Sequence, residues 1–433
     1  MSKATFTTGH SPSIAAVLRT VLLAWLAMLS GPELSWADEP AKRLSPEAIA
    51  RYVADLDSDS RAVRAAAESA LVTAGPAVLD DLPLAGSHPD PVVRESLDRV
   101  IRAVETNEFR SALKPRSVHL TEVHNLHDAV QRIGEVTGNR IALPERPPAT
   151  DPLMFSAMPI TFWEAISTIE KQSQLQYHSG SLEPATANST IHPSSVSGPF
   201  RSELLHCEQR TTTGGERLLN VKIRLTCEPR LRPLFLVAAV DEWSASCELA
   251  TASPFTPMAR REIQSTSTGE IDVAFDFVVP PTNNDQQSWT ITGDVDLTLA
   301  AQSTSVTFSD LTVKLPLTRR RGQASLSLLE VMSKDTTCSV RLATAFPHLT
   351  GLFESYRASL LAPVVLLETP GGDRHTPVET VQFQEAPQGL ILEYRFDQKL
   401  VPGSRVTATI PAAISTQKVP FRFEKVTPAK PAD

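Results

Sequence analysis

From Phe200 onward, hydrophobic and polar positions alternate. In "LNVKIRLTC", Leu219, Val221, Ile223, Leu225 and Cys227 fall on one side and Lys222, Arg224 and Thr226 on the other. "EIDVAFDFVV" sets Ile271, Val273, Phe275, Phe277 and Val279 against Asp272, Ala274 and Asp276, and "DVDLTLA" and "SVTFSDLTVKL" continue the pattern. A period of two is that of a strand with one buried face. After "LTRRRGQ" (Leu317 to Gln323) the style restarts with "ASLSLLEV", "CSVRLATAF", "PVVLLET", "LILEYRF", "SRVTATI" and "VPFRFEKV". The last run echoes "VTFSDLTV" at an offset of 113, with Val306 over Val419, Phe308 over Phe421 and Val313 over Val426. This predicts two related antiparallel β-sandwiches in tandem, at 200–318 and 323–428, with a tail at 429–433. One larger two-sheet domain is the alternative.

Upstream the period changes to that of helices. "SPEAIARYVADL" opens with Ser45 as a cap and Pro46 at the first helical position. The next helix carries a stripe of Val63, Ala66, Ala67, Ala70 and Leu71, and a third carries Val93, Leu97, Val100, Ile101 and Val104. Residues 44–106 therefore read as helical. From Leu126 a different phrase is written twice at an offset of 36. Leu126, Ala129, Val130 and Ile133 recur as Phe162, Ala165, Ile166 and Ile169. Short β runs flank each copy ("SVHL" and "NRIAL", then "LMFSAMPI" and "LQYHS"), so residues 117–180 predict two β-α-β half-units closing one small α+β layer on a shared sheet. The stretch 181–199, rich in Ser, Pro, Thr and Gly, reads as a linker. Overall the expectation is a multidomain α + β chain.

The helical region resembles HEAT-type repeats through the phrase Asp59, Arg64, Ala66, Ala67, Leu71 and the match of Arg64 with Arg94 at an offset of 30. The doubled phrase, with Thr137, Gly138 and Ile141 closing its first copy and Leu175 its second, resembles the short N-terminal domain of secretins and TonB-dependent receptors. That resemblance implies a protein-interaction or signalling module, without pore function. "RYVADLD", the doubled phrase, "GPF" (Gly198 to Phe200) and "VPFRF" together resemble exported proteins of planctomycete-type bacteria.

Lys3 and Arg19 precede the apolar run Thr20 to Leu29, and "SWA" places Ser35 and Ala37 at small-residue cleavage positions. This pattern predicts a signal peptide over 1–37 and a periplasmic or extracellular mature chain. An anchor helix is the rival reading, but ten apolar residues are half of the ~20 needed to cross a bilayer. A net charge of −8 over 433 residues leaves no basic footprint for nucleic acid. Export would permit disulfides among Cys207, Cys227, Cys247 and Cys338, with Cys207–Cys227 and Cys227–Cys247 as candidate bridges and small buried thiols as the alternative.

Chemistry is sparse. Ser415 to Lys418 fits S-x-x-K but lacks its partner motifs and does not open a helix. Paired acids, Asp272 with Asp276 and Asp294 with Asp296, share strand faces, where a solvated outer face is the simpler reading than a glycosidase pair. "RRR" at Arg319 to Arg321 reads as an exposed interdomain linker. Three histidines, His119, His124 and His127, crowd beside Asp128, a ligand set suited to a transition metal. Against this, His119 falls on a strand, and Asn125 is placed to cap the helix with Asp128 at its third position, which favours solvated loop histidines. No catalytic residue and no cofactor is called for. The sequence supports an exported, non-enzymatic binding or scaffold protein of the cell envelope working through contacts with other envelope or secreted proteins. The competing class is a metal-dependent sensor or hydrolase whose site is assembled from distant residues. Cleavage after Ala37 predicts a mature chain starting at Asp38, which N-terminal sequencing of the exported protein will test; an intact Met1 in the membrane fraction refutes it.

Overall fold

A computed structural model describes residues 44–429 apart from 84–87, 146–151, 186–191, 249, 267–268, 281–287, 310, 312–314, 347–360 and 387–388. The expected leader at 1–37 and residue Val313 lie outside the described residues. The fold is mixed and mostly β, in several antiparallel sheets.

The helical segment comprises α1 (Pro46–Asp55), α2 (Arg61–Thr73), a 3-10 turn (Gly75–Asp80) and α3 (Pro91–Ala112). Ser45 caps α1, accepting from the Ala48 amide at 3.3 Å, and Asp90 caps α3, accepting from Val92 and Val93 at 2.7 and 3.1 Å. Arg64 and Arg94 do the same work in their two units. Arg64 donates to the carbonyls of Ser58 and Asp59 (2.6 and 3.1 Å), and Arg94 to those of His88 and Pro89 (2.9 and 3.1 Å). The α2 stripe is narrower than its spacing predicts: Ala67 and Leu71 are buried, whereas Val63 is 39% exposed. Helix α2 packs between α1 and α3, and among the described residues Val63 lies on its flank away from both contacts. Helix α3 runs past residue 106 because Phe109 finds a new partner in the first β core.

The doubled phrase forms α4 (Leu126–Thr137) and α5 (Phe162–Gln172), whose stripes meet in one core with Val118, Leu153, Leu175 and Leu182. The expected shared sheet is replaced by two two-stranded ribbons. One pairs β1 (Ser117–Val118) with β2 (Ile160–Thr161), and the other pairs β3 (Leu175–His178) with β4 (Ser181–Pro184). "NRIAL" contributes a single bridge, Ala142 to Ser181. Prolines explain the shortfall: Pro144, Pro152 and Pro159 bound the would-be strands and cannot donate to a ladder. The segment 181–199 likewise departs from a linker. It holds β4 and β5 (Ser194–Ser197), each paired through a two-residue turn, at Ser179-Gly180 and at Gly198-Pro199. Strand pairing is a backbone property, so Ser-rich composition does not forbid it.

The β region has two cores, but they do not follow one another along the chain. A five-stranded sheet has the order β14 (Leu317–Arg321), β15 (Ala324–Lys334), β16 (Thr337–Ala345), β20 (Gly389–Phe396), β19 (Glu379–Ala386). The larger sheet contains β5, β6 (Phe200–Thr211), β7 (Arg217–Cys227), β8 (Arg232–Ala239), β9 (Trp243–Ser246), β10 (Thr251–Pro254), β11 (Arg260–Gln264), β12 (Glu270–Val278), β13 (Trp289–Phe308), β17 (Val364–Glu368), β18 (Arg374–His375) and β21 (Arg405–Val426). Strands β13 and β21, 20 and 22 residues long, pair antiparallel almost end to end. Each serves both cores. Odd-numbered Ile291, Val295, Leu297, Leu299, Val419, Phe421 and Phe423 face the first, with β7 and β12. Even-numbered Val306, Phe308, Val406, Ala408 and Ile410 face the second, with the five-stranded sheet. The boundary near 318–323 therefore does not separate two domains, because the last strand of the chain completes the first core. The echo between Val306 and Val419 marks opposite ends of one antiparallel pair: Val306 lies across from Ala408, and Val419 from Val295.

The first core closes on itself. The Ala429 amide donates to the Cys207 carbonyl (2.8 Å) and the Gln209 amide to the Ala429 carbonyl (3.2 Å), joining the chain end to β6. The predicted tail thus begins with a bridged residue. None of the four cysteines is in a disulfide. The β6–β7 register sets Cys227 opposite Phe200, seven residues from Cys207, or about 23 Å at strand rise, far beyond disulfide reach. Burial pushes the Cys207 thiol up to about 12.

At the centre of the first core Trp243 lies edge-on to Phe275 and Phe421, at 4.9 and 4.7 Å. Gly293 makes this possible, since a Cβ there would sit 2.7 Å from Phe421 Cζ and 3.0 Å from the indole. Gly293→Ala should cost about 1–3 kcal/mol by overpacking. Because β13 and β21 are shared, loss of tryptophan fluorescence from the first core should coincide with loss of the Tyr394 near-ultraviolet signal from the second in a denaturant titration. Two separated transitions contradict the shared ribbon.

Candidate functional site

The histidine cluster does not assemble. His119, His124, His127 and Asp128 are all exposed. Asn125 caps α4, accepting from the Asp128 amide at 2.9 Å, and its Nδ2 donates to the Asp128 carboxylate at 2.6 Å. Among the described residues no group of three or more His, Cys, Asp or Glu side chains is arranged to hold a metal ion. Ser415 is exposed on β21, and Lys418 donates to Glu242 at 2.7 Å with Asp296 3.5 Å away. The Glu242 hydrogen bond, with Asp296 beside it, raises the lysine's proton affinity, the opposite of what a general base needs. Asp276 accepts from Asn220 and Arg210 at 2.8 and 3.1 Å. Asp272 is bound by Arg224 and Lys222 at 2.8 and 2.9 Å. Burial pushes the Asp272 carboxyl up, but the hydrogen bonds from Arg224 and Lys222 outweigh it and hold the group below the usual aspartate value. These acids are ion-pair partners on the partly solvated outer face of the sheet.

The concentrated polar chemistry lies in three joints between segments. In the first, the β7–β8 turn inserts Glu228 and Arg230, whose side chains are 1% and 5% exposed. Arg230 Nε donates to Glu228 Oε2 at 2.5 Å, and its guanidinium also reaches the carbonyls of Ala112 and Lys114 at the end of α3. Asn139, fully buried just after α4, donates through Nδ2 to Glu228 Oε2 (2.9 Å) and accepts the Arg230 amide through Oδ1 (3.1 Å). Helical segment, α+β module and first β core thus meet in one hydrogen-bonded set.

The second joint fixes the module's other flank. Arg201 on β6, its side chain 8% exposed, is held between Glu170 of α5 (2.9 Å) and Glu203 (2.8 Å). Its guanidinium carbon lies 5.8 Å from the Trp163 ring centroid. Glu270 at the start of β12 accepts from the Ser179 amide (3.0 Å), with His178 Nδ1 at 3.2 Å and Arg224 at 3.5 Å.

The third joint seats α3 and the 3-10 turn on the β14–β15 hairpin, so "RRR" is not an exposed linker. Arg319 to Arg321 lie in β14, and Arg321 donates to both carboxylate oxygens of Asp80 at 3.1–3.2 Å. Glu105 accepts from the Gln323 amide (2.9 Å) and side chain (2.6 Å). A small cavity here, lined by Glu105, Glu108, Arg321, Phe346 and residues 411–414, has a volume of about 10 Å³, room for about one water and far too little for an organic substrate.

The sequence reading missed Glu228 and Arg230. "CEPR" looks like a polar turn between two strands, and the signal that could have found it is a charged pair directly abutting the apolar end of β7.

No protein-family model matches the chain, and no curated protein is similar to it. Among solved structures, one described as the conserved domain protein from Bacillus anthracis aligns over 55% of this chain and 90% of its own at 8% identity, with a TM-score of 0.19. At that score the likeness carries no argument. Among the described residues no helix is long and apolar enough to cross a membrane.

Arg230→Ala would leave Glu228 buried without its cation and should destabilise the chain by about 3–5 kcal/mol. Adding Glu228→Leu should restore a substantial part, as read by a double-mutant cycle in urea. Additive losses would mean that the two side chains act independently.

Proposed function

We propose that the protein is a non-enzymatic scaffold or binding protein that works in the envelope or outside the cell, holding protein partners on a rigid frame. The observation that carries this reading is the investment of charged residues in the three buried joints. Most of their hydrogen bonds run between segments, side chain to side chain or to backbone, which ties helices, α+β module and β cores together. The adjoining cavity is too small for a substrate. A frame of this kind suits presentation of surfaces. On this reading the helical segment is a HEAT-like pair, residues 117–180 are an interaction module of the secretin and TonB type, and the β cores are sandwiches that share strands. The leader at 1–37 would deliver the chain to that compartment. Fold-level likeness supports such roles only by association.

Affinity purification of the tagged chain from its native envelope under mild crosslinking should recover defined protein partners. Replacing His119, His124 and His127 together with Ala should leave that recovery unchanged. A chain recovered alone as a monomer counts against the scaffold. Loss of partners on the histidine substitutions, with the fold intact, would favour a metal-dependent role.

A further inference from the structure

The third joint carries more negative charge than its structure neutralises. Asp80 is matched by Arg321. Glu105 has only the neutral donors of Gln323, and Glu108, 8% exposed, has no hydrogen-bond or ion-pair partner among the described residues. The groups facing them are Asp80 from the 3-10 turn, Arg320 and Arg321 from β14, and Asp98 on α3, which pairs with Arg102 at 3.5 Å. Residues 411–414 and Phe346 close the seam with no charge. Arg320 is near enough to Glu105 and Asp98 to attract both, although its Nε is buried without an acceptor, whereas the cation acting on Glu108 is Arg321, which Asp80 already holds. The hairpin presses on Glu105: Gly322, at φ +55°, would place a Cβ 2.0 Å from the carboxylate oxygen. A side chain there would have to displace the Glu105 carboxylate from its seat.

We propose that this seat is an acid-strengthened latch, in which Glu105 and Glu108 hold α3 against the β14–β15 hairpin most tightly when protonated and release it as they ionise. Burial raises both carboxyls above the ordinary glutamate value of 4.5. A group that holds its proton more tightly when docked contributes fully below its undocked value, and the contribution is lost as pH rises through the docked value. The latch is therefore closed in acid and loosens above about pH 4.5. The end of α3 stays anchored throughout by Phe109 in the first core and by Arg230, so release is local to the seam.

The test is amide hydrogen exchange of the full chain from about pH 4.5 to about pH 8, corrected for intrinsic rates, at Gln323 and across β14, with β16 as the internal reference. Protection at Gln323 should fall several-fold relative to β16 as the pH rises. In Glu108→Gln, and further in the double variant with Glu105→Gln, that slope should flatten, because the amide stays neutral at every pH. Should the double variant not fold, Glu108→Gln alone decides, with far-ultraviolet circular dichroism as the check on folding. A flat wild-type profile, or a folded variant with the wild-type slope, overturns the latch.

Discussion

The pairing of β13 with β21 is the constraint on which the rest of the structure depends. Each strand is long enough to lie between two hydrophobic cores, and the alternation of a pleated strand gives each core one face of the same ribbon. Val295 and Leu297 look one way, Val306 and Phe308 the other. Where the cores overlap, the ribbon is buried on both sides. There Thr298 and Thr416 satisfy each other across the pair at 2.8 Å, so that neither of these two hydroxyls is stranded. The two cores are joined through one shared ribbon, although their remaining strands come from different parts of the chain.

The helices and the α+β module are attached by different means. Beside the apolar contacts of Phe109, Ala112 and Leu113 with the first core, buried charges and hydrogen bonds tie them to the β region. Buried ion pairs are poor sources of net stability, because desolvation consumes most of the attraction, but they tolerate little geometric error. The Glu228–Arg230–Asn139 set illustrates this: a guanidinium must reach a carboxylate and two helix-end carbonyls at once, which only one docking pose allows.

Much of this was legible in the sequence where side-chain pattern and burial coincide. The alternation in β7 and β12 and the stripes of α4 and α5 are buried as their spacing predicts. What could not be read is what the backbone or distant parts of the chain decide. The β13 pattern changes phase as the strand passes from one core to the other, so it reads as two strands, and its echo in β21 reads as a duplicated domain. The short ribbons of the module and the paired Ser-rich segment are set by proline positions and turn geometry rather than by composition. The joints were invisible because their charged residues look, one at a time, like ordinary surface.

The bridge at Ala429 bears on the order in which the molecule can be completed. A polypeptide that emerges with its N-terminus first presents β6 and β7 long before β21, the strand that closes the ring against them. Until residues near 426–429 arrive, β6 keeps an unpaired backbone edge at Cys207 and Gln209, and the apolar faces of β7 and β12 have only part of their cover. Such a chain cannot finish folding piecemeal. Its β6 edge is exposed to stray edge-to-edge pairing for the same interval.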